Sequence, residues 1–145
     1  MEKFLLLTNF FSTAYITGVI WIIQIVQYPL FSKICEENFA EYHSLHTFWI
    51  TPIVAPVMII ELITSFFLLF YAFDKIDYKL IWLGLILTLI TWASTFFLQV
   101  PMHEKLAKGF DKSSFDFLVY SNWLHTFVWT LRSLLVSFFI FQSLK

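Results

Sequence analysis

Four histidines are the residues of this chain whose chemistry stands out in an otherwise apolar sequence. His43 and His46 are three residues apart, and His125 follows Asn122 by three. Residues at this spacing share one face of a helix. Imidazoles from several helices are common ligands of transition metals and haem iron, and they transfer protons near neutral pH. We therefore expect His43, His46 and His103 to be candidate metal ligands and His125 to be a candidate catalytic residue.

Side-chain amides accompany these histidines at helical spacing. Gln24 and Gln27 lie about one turn apart, and Gln99 lies about one turn before His103. Amides orient a bound group or its water through hydrogen bonds, as the outer partners of a metal site do. The sequence therefore predicts four residues that bind or orient a cofactor: Gln24, Gln27, Gln99 and Asn122.

Each of these histidines also has a structural interpretation. His43 and His46 occur in an acidic segment and would be solvated at the membrane surface. His103 would interact with the negative end of a helix dipole, and His125 would hydrogen-bond to polar neighbours. The chain contains no HExxH or CxxC pattern, so the spacing identifies no particular cofactor. A haem and a transition metal therefore both remain open.

Glu61 and Arg132 are the charged residues that lie deepest in the apolar runs. A charge within a membrane costs about 3 kcal/mol on insertion scales and commonly has a functional role. The long Arg132 side chain is able to reach a carboxylate on a neighbouring helix. We therefore expect a contact between the two groups, which is either a structural link or a catalytic pair.

Composition places the chain in a membrane. Of its 145 residues, 59% are hydrophobic and only 13% are charged, and the mean hydropathy is +0.77. One domain of this size could not bury so much apolar surface in water, so we expect a lipid bilayer around it. The net charge of −1 offers no basic surface for nucleic acid, and the single Cys35 allows no internal disulfide.

Four apolar runs are long enough to cross a bilayer as helices, since about 20 residues suffice. They cover about residues 4–30, 52–73, 80–100 and 117–141. An amphipathic pattern before the second run predicts a short interfacial helix between spans 1 and 2. The fold class is therefore predicted to be all-α, an antiparallel four-helix bundle in a single transmembrane domain over residues 1–145. We recognise no internal repeat in the sequence.

Four spans place both termini on one side of the membrane and the connections 32–51 and 102–116 on the other, which we call the loop side. The histidines and the three glutamines named above then lie in or near the loop-side third, so we expect a polar pocket there. Lysines divide equally between the two sides, so the positive-inside rule gives no orientation.

Two segments carry a resemblance to known proteins. QVPMHEKLAKGFD and NWLHTFVWTLRSLL resemble the second half of small four-span bacterial membrane proteins of unassigned function, which are loosely related to the anthrone oxygenase-like family. The first half, with TGVIWIIQIVQYPLF and PVMIIE, is similar in character. Four positions match the pattern: Pro101, Trp123, His125 and Arg132. The resemblance implies a four-span bundle in a bacterial inner membrane; that family's oxygenase activity acts on polyketide anthrones, and no metal motif carries over.

These observations favour a small redox or oxygenase-type enzyme that acts on a lipophilic small molecule. A proton, ion or small-molecule channel or transporter module is the alternative, and it would be a homo-oligomer because four short spans enclose little space. A non-catalytic membrane subunit is the third interpretation.

Overall fold

The structure is a computed structural model that describes residues 1–71 and 76–144. Its regular structure in these ranges is entirely helical and comprises four spans, each 29 to 33 residues long and apolar enough to cross a membrane. Their bounds are Glu2–Phe31 for span 1, Glu36–Leu68 for span 2, Tyr78–Leu106 for span 3 and Lys112–Ser143 for span 4. The predicted all-α four-helix bundle is confirmed.

Span 2 begins much earlier than its apolar run. The residues predicted to form an interfacial helix are helical, but they continue without a break into the membrane-spanning part, past Pro52 and Pro56. Prolines are tolerated inside a membrane helix where neighbouring groups satisfy the freed backbone. The helix ends at Leu68, and the predicted end near residue 73 lies outside the described residues.

Spans 1 and 3 each contain a π-helical turn near their loop-side end. The turns are Ile23–Gln27 and Thr95–Gln99, and each is followed two residues later by a proline, Pro29 or Pro101. A proline lacks an N–H and clashes with the carbonyl four residues earlier, and a wider turn relieves both problems. The predicted apolar run of span 3 ends at residue 100, just before Pro101, but the helix continues to Leu106.

The two ends of the bundle are held by separate apolar clusters. The loop-side cluster joins the end of span 1, the start of span 2, the end of span 3 and the start of span 4 through Tyr28, Phe31, Phe39, Leu106, Phe115 and Leu118. The opposite cluster contains Leu6, Leu68, Ile76, Ile81, Val136 and Phe139. Consecutive spans therefore run antiparallel, and both loop connections lie at one end of the bundle, as predicted.

Asp111 begins span 4 as its N-cap. Its Oδ2 accepts a hydrogen bond of 2.8 Å from the Ser114 backbone N–H, which would otherwise lack a partner in the first turn. The hydrogen bonds from the Ser114 side chain and backbone lower the pKa of the Asp111 carboxyl below its usual value. The cap therefore works best when this carboxylate is ionised.

Candidate functional site

Glu61 and Arg132 form an ion pair in the packed centre of the bundle. Arg132 Nε donates to Glu61 Oε1 at 2.8 Å, and both side chains are almost completely buried. Thr13 Oγ1 donates to the same carboxylate oxygen at 2.8 Å, and Trp129 Nε1 donates to Oε2 at 3.0 Å. Each carboxylate oxygen is therefore satisfied by the protein itself.

The guanidinium of Arg132 is equally well satisfied. It donates to the Gly84 carbonyl, to Asn9 Oδ1 at 3.1 Å and to Ser65 Oγ. A Cβ at Gly84 would lie 3.3 Å from Arg132 Nη1, so a glycine permits this close approach. We call these residues the central ion-pair network; it joins all four spans and comprises Asn9, Thr13, Glu61, Ser65, Gly84, Trp129 and Arg132.

A cavity of about 380 Å³ lies between this network and the loop-side end. Its walls come from all four spans and are largely apolar, and its volume falls in the range of small-molecule sites. The Trp129 ring lines it while its N–H holds Glu61. Five of the predicted site residues also line it: His46, Gln99, His103, Asn122 and His125.

Gln99 lines this cavity and has an unused hydrogen-bond acceptor just beneath the cavity surface. Its Nε2 donates to Ser121 Oγ at 2.9 Å, and the Ser121 hydroxyl donates its single proton to the Leu118 carbonyl. The hydroxyl can only accept from Gln99, which fixes the orientation of the amide. Gln99 Oε1 is buried without a partner among the described residues, and the side chain is 5% exposed. A ligand that donates a hydrogen bond would satisfy this oxygen.

For two further residues of the cavity wall, the donor and acceptor atoms can be assigned. His125 Nε2 lies 3.2 Å from the Thr91 carbonyl, which accepts only, so this nitrogen carries the proton in that contact. The neutral imidazole then has an acceptor at Nδ1. Trp92 Nε1 is a buried donor with no partner in the described part of the chain. The residues of the cavity wall therefore include both hydrogen-bond acceptors and donors.

Three histidines meet at the loop-side end of the cavity. His103 Nδ1 lies 3.1 Å from His43 Nε2, and the ring of His46 lies 6.4 Å from each of the other two by centroid. His43 is fully buried behind His103, and its Nδ1 has no partner among the described residues. Nevertheless, no group of three or more His, Cys, Asp or Glu among residues 1–71 and 76–144 is arranged to hold a metal ion. The metal-ligand role expected for His43, His46 and His103 is therefore unsupported and stays a prediction.

The remaining predicted site residues lie outside the cavity wall. Gln24 is one layer behind it, where its Oε1 accepts from Asn122 Nδ2 at 2.7 Å. Gln27 donates to the Tyr42 hydroxyl at 3.1 Å. Glu61 and Arg132 lie in the central ion-pair network, which has essentially no free volume beside it. A catalytic role for these two residues stays a prediction, whereas their contacts support a structural one.

The structure also contains a repeat that the sequence interpretation missed. The sequence Leu-His-Thr-Phe occurs at residues 45–48 in span 2 and at residues 124–127 in span 4. In each half of the chain the π turn ends at a glutamine, Gln27 or Gln99, and a proline follows two residues later. The side chain of this glutamine donates a hydrogen bond to the residue four positions before the repeated histidine, which is Tyr42 in the first half and Ser121 in the second. His46 and His125 are therefore equivalent positions of two similar hairpins, and both line the cavity. The duplicated tetrapeptide is the signal that would have revealed this.

Comparison with known proteins gives no independent assignment. No family model, curated protein or solved structure matches this chain. The function therefore has to be inferred from the site itself.

Proposed function

We propose that this chain binds a lipophilic small molecule with a hydrogen-bond-donating head group in the cavity between the four spans. The observation that carries the proposal is an apolar cavity of about 380 Å³ whose wall includes Gln99, and the Oε1 of this residue is a buried acceptor without a partner among the described residues, just beneath the cavity surface. Leaving such a group unsatisfied costs about 1–3 kcal/mol, which a hydroxyl on the ligand would recover. The apolar walls would bury the rest of the molecule.

The histidines extend this proposal from binding to proton transfer. His46, His103 and His125 also line the cavity, so an imidazole there would take the proton when the hydroxyl turns away from Gln99 Oε1 and donates to that imidazole instead. A deprotonated hydroxyaryl group is more easily oxidised than the neutral form. The oxygenase activity predicted from the sequence, with molecular oxygen as the oxidant, would use this step. No step is assigned to a haem or a metal ion.

The central ion-pair network argues against conduction through one copy of the chain. A pore would need water along the bundle axis, but the described side chains around Arg132 leave essentially no free volume on the terminal side of the cavity. The cavity is thus closed at that end by groups that already satisfy one another. This favours a binding site over a channel.

The proposal is tested by asking whether the purified protein retains a small molecule. Native mass spectrometry of the protein released from lipid nanodiscs should show a bound lipophilic compound. Ala55 lines the cavity, and Ala55→Phe should abolish this species by filling the space. Ala14→Phe is the matched control, because Ala14 is exposed on the outside of span 1.

Three outcomes are informative in this experiment. Loss of the bound compound in Ala55→Phe, with retention in Ala14→Phe, would support the cavity as the site. Equal retention in both variants would place the compound elsewhere and contradict the proposal. If the wild-type protein carries nothing, a titration with a lipophilic phenol decides whether the cavity binds such a molecule at all.

A further inference from the structure

We propose that the ligand enters the cavity sideways from the loop-side leaflet, through a portal between spans 2 and 3 that is bordered by Ile50, Thr51 and Val100. This inference rests on the proposed function, because it names the route and the kind of molecule that uses the site. The molecule is an amphiphile dissolved in the bilayer, with a polar head and an apolar tail.

The first support is a second void that adjoins the cavity. A groove of about 300 Å³ lies on the outside of the bundle between spans 2 and 3. It shares part of its lining with the cavity, namely Ile50, Thr51, Val100 and His103. A shared set of residues means that these side chains stand between the outer groove and the interior, which is the arrangement of a gate.

The second support is that the cavity wall is exposed on this side. Val100 and Phe96 line the cavity and yet are 39% and 57% exposed. On the side of span 1 the wall residues Ile16 and Ile20 are only 1% and 7% exposed. Spans 2 and 3 are also the neighbouring pair that packs least closely. The opening of the cavity therefore faces the seam between these two spans.

The third support is that the other routes are closed in the described part of the chain. Towards the loop-side water, the cluster that contains Phe31, Phe39 and Leu106 is completely buried and packed across all four spans. Towards the terminal side, the central ion-pair network fills the bundle. A ligand that reaches Gln99 without unfolding either end therefore enters laterally between two spans, and the exposed wall residues and the shared groove point to the seam between spans 2 and 3.

The chemistry of the groove fits an amphiphile at the edge of the bilayer. His103 and Glu104 supply its polar groups, and Ile50, Val100 and Ala107 supply apolar surface. These residues lie near the loop-side end of the spans, where hydrocarbon gives way to head groups. A polar head would pass beside His103 while the tail stays in the hydrocarbon layer.

The test measures how fast a probe enters and leaves. The probe is 2-bromo-4-decylphenol, whose heavy atom quenches tryptophan fluorescence on contact, and Trp92 and Trp129 line the cavity. Stopped-flow mixing of protein in vesicles with probe-loaded vesicles gives the association rate, and dilution into empty vesicles gives the dissociation rate. The cavity-filled Ala55→Phe variant supplies the background from probe in the bilayer.

Substitutions that change the size of the side chains at the portal test the inference directly. Val100→Phe should slow both rates about tenfold, because a bulkier side chain raises the barrier to passage, and Val100→Ala should speed both. Thr51→Phe repeats the test on the opposite side of the portal. Val26→Phe is the control, since Val26 is exposed on span 1 and does not line the cavity.

The results separate this inference from the proposed function. Association and dissociation rates that fall as the side chain at Val100 or Thr51 becomes larger, while Val26→Phe leaves both rates unchanged, are the expected outcome. Unchanged rates in all portal variants, with normal occupancy, would overturn the portal and leave the binding site standing. Absence of any saturable quenching in the wild-type protein would overturn both proposals.

Discussion

Arg132 Nε and Glu61 Oε1 lie 2.8 Å apart at the centre of the bundle, and the other polar atoms of the pair reach groups on spans 1, 2, 3 and 4. A buried ion pair does not guarantee net stability, because desolvation opposes the attraction. Removing one partner is different, since it leaves the other charge buried and uncompensated. Each charge of the pair is therefore tolerated in the core only while the other is present.

Single substitutions of this pair should be strongly destabilising. Glu61→Gln or Arg132→Gln should each lower the free energy of unfolding by about 3–5 kcal/mol, and the double variant should lose much less than the sum. Reversible unfolding in mixed micelles, followed by circular dichroism, measures these values. Additive losses would show that the two charges act independently.

A surface pair provides the comparison for that experiment. Lys112 Nζ and Asp116 Oδ2 form a contact of 2.6 Å, but both side chains are largely exposed. Exposed pairs one helical turn apart contribute little, because water and salt screen them. Lys112→Gln should therefore leave stability almost unchanged, which distinguishes the effect of burial from that of charge loss.

Trp129 belongs to the central ion-pair network and also lines the cavity. Its substitution should lower the stability of the protein less than substitution of Glu61 or Arg132. Trp129→Phe removes the donor to Glu61 Oε2 and leaves that oxygen unsatisfied, which we expect to cost about 1–3 kcal/mol. Trp123→Phe is the control, because its ring packs edge-on against Trp21 near the surface. Equal effects of the two substitutions in thermal unfolding would speak against the hydrogen bond.

The π turn of span 3 should accept a deletion that the regular helix does not. A π turn carries one extra residue relative to an α-helix, so deleting the exposed Phe97 should keep all later residues on their original faces, and the loss of stability should be limited to the cost of Pro101 in a regular helix. Deleting Ile86, which is also exposed but lies in the α-helical part of span 3, should rotate all later residues by about 100° and destabilise the bundle. Similar melting temperatures for the two deletions would contradict this.

The fold was largely predictable from the sequence because lipid imposes simple demands. Apolar runs of sufficient length have to be helices, and polar residues in them have to face inward. Thus Gln24, Asn122 and Arg132, which the sequence places in apolar runs, are all buried. Asn9 was overlooked because a single amide in an apolar run shows no periodicity, although it contacts both Arg132 and span 2.

The site was predictable only in part. The sequence identified Gln99, His103 and His125, which line the cavity, but it could not reveal the cavity itself. Empty space depends on how side-chain volumes from four spans fit together, and the π turns change which residues face inward. The predicted convergence of His46 with His103 is observed, whereas Gln27 instead contacts Tyr42.

The cap of span 4 should give a pH-dependent contribution to stability. Because the pKa of Asp111 is lowered in the folded protein, its stabilising effect is present above the usual pKa of 3.8 and is lost as pH falls through the folded value. The difference in melting temperature between wild type and Asp111→Ala should therefore be constant near neutral pH and shrink below pH 3.8. Asp111→Asn retains a neutral cap, so its difference from Asp111→Ala should not change with pH.

Gln99 should discriminate ligands by their ability to donate a hydrogen bond. Gln99→Leu should weaken binding of 4-decylphenol about five- to tenfold, as expected for the loss of about 1 kcal/mol. The methyl ether 4-decylanisole lacks the donor, so it should bind wild type and Gln99→Leu about equally. If both ligands are weakened to the same extent, Gln99 contributes through packing and not through its oxygen.

The central claim is that the cavity between the four spans is a binding site for a lipophilic molecule, and a dissociation constant tests it most directly. We would titrate 2-bromo-4-decylphenol into the protein in lipid nanodiscs and follow the quenching of tryptophan fluorescence. Saturable one-to-one binding to wild type and Ala14→Phe, with at least about tenfold weaker binding to Ala55→Phe, is the predicted result. Non-saturable quenching, or equal binding by all three proteins, would contradict the account.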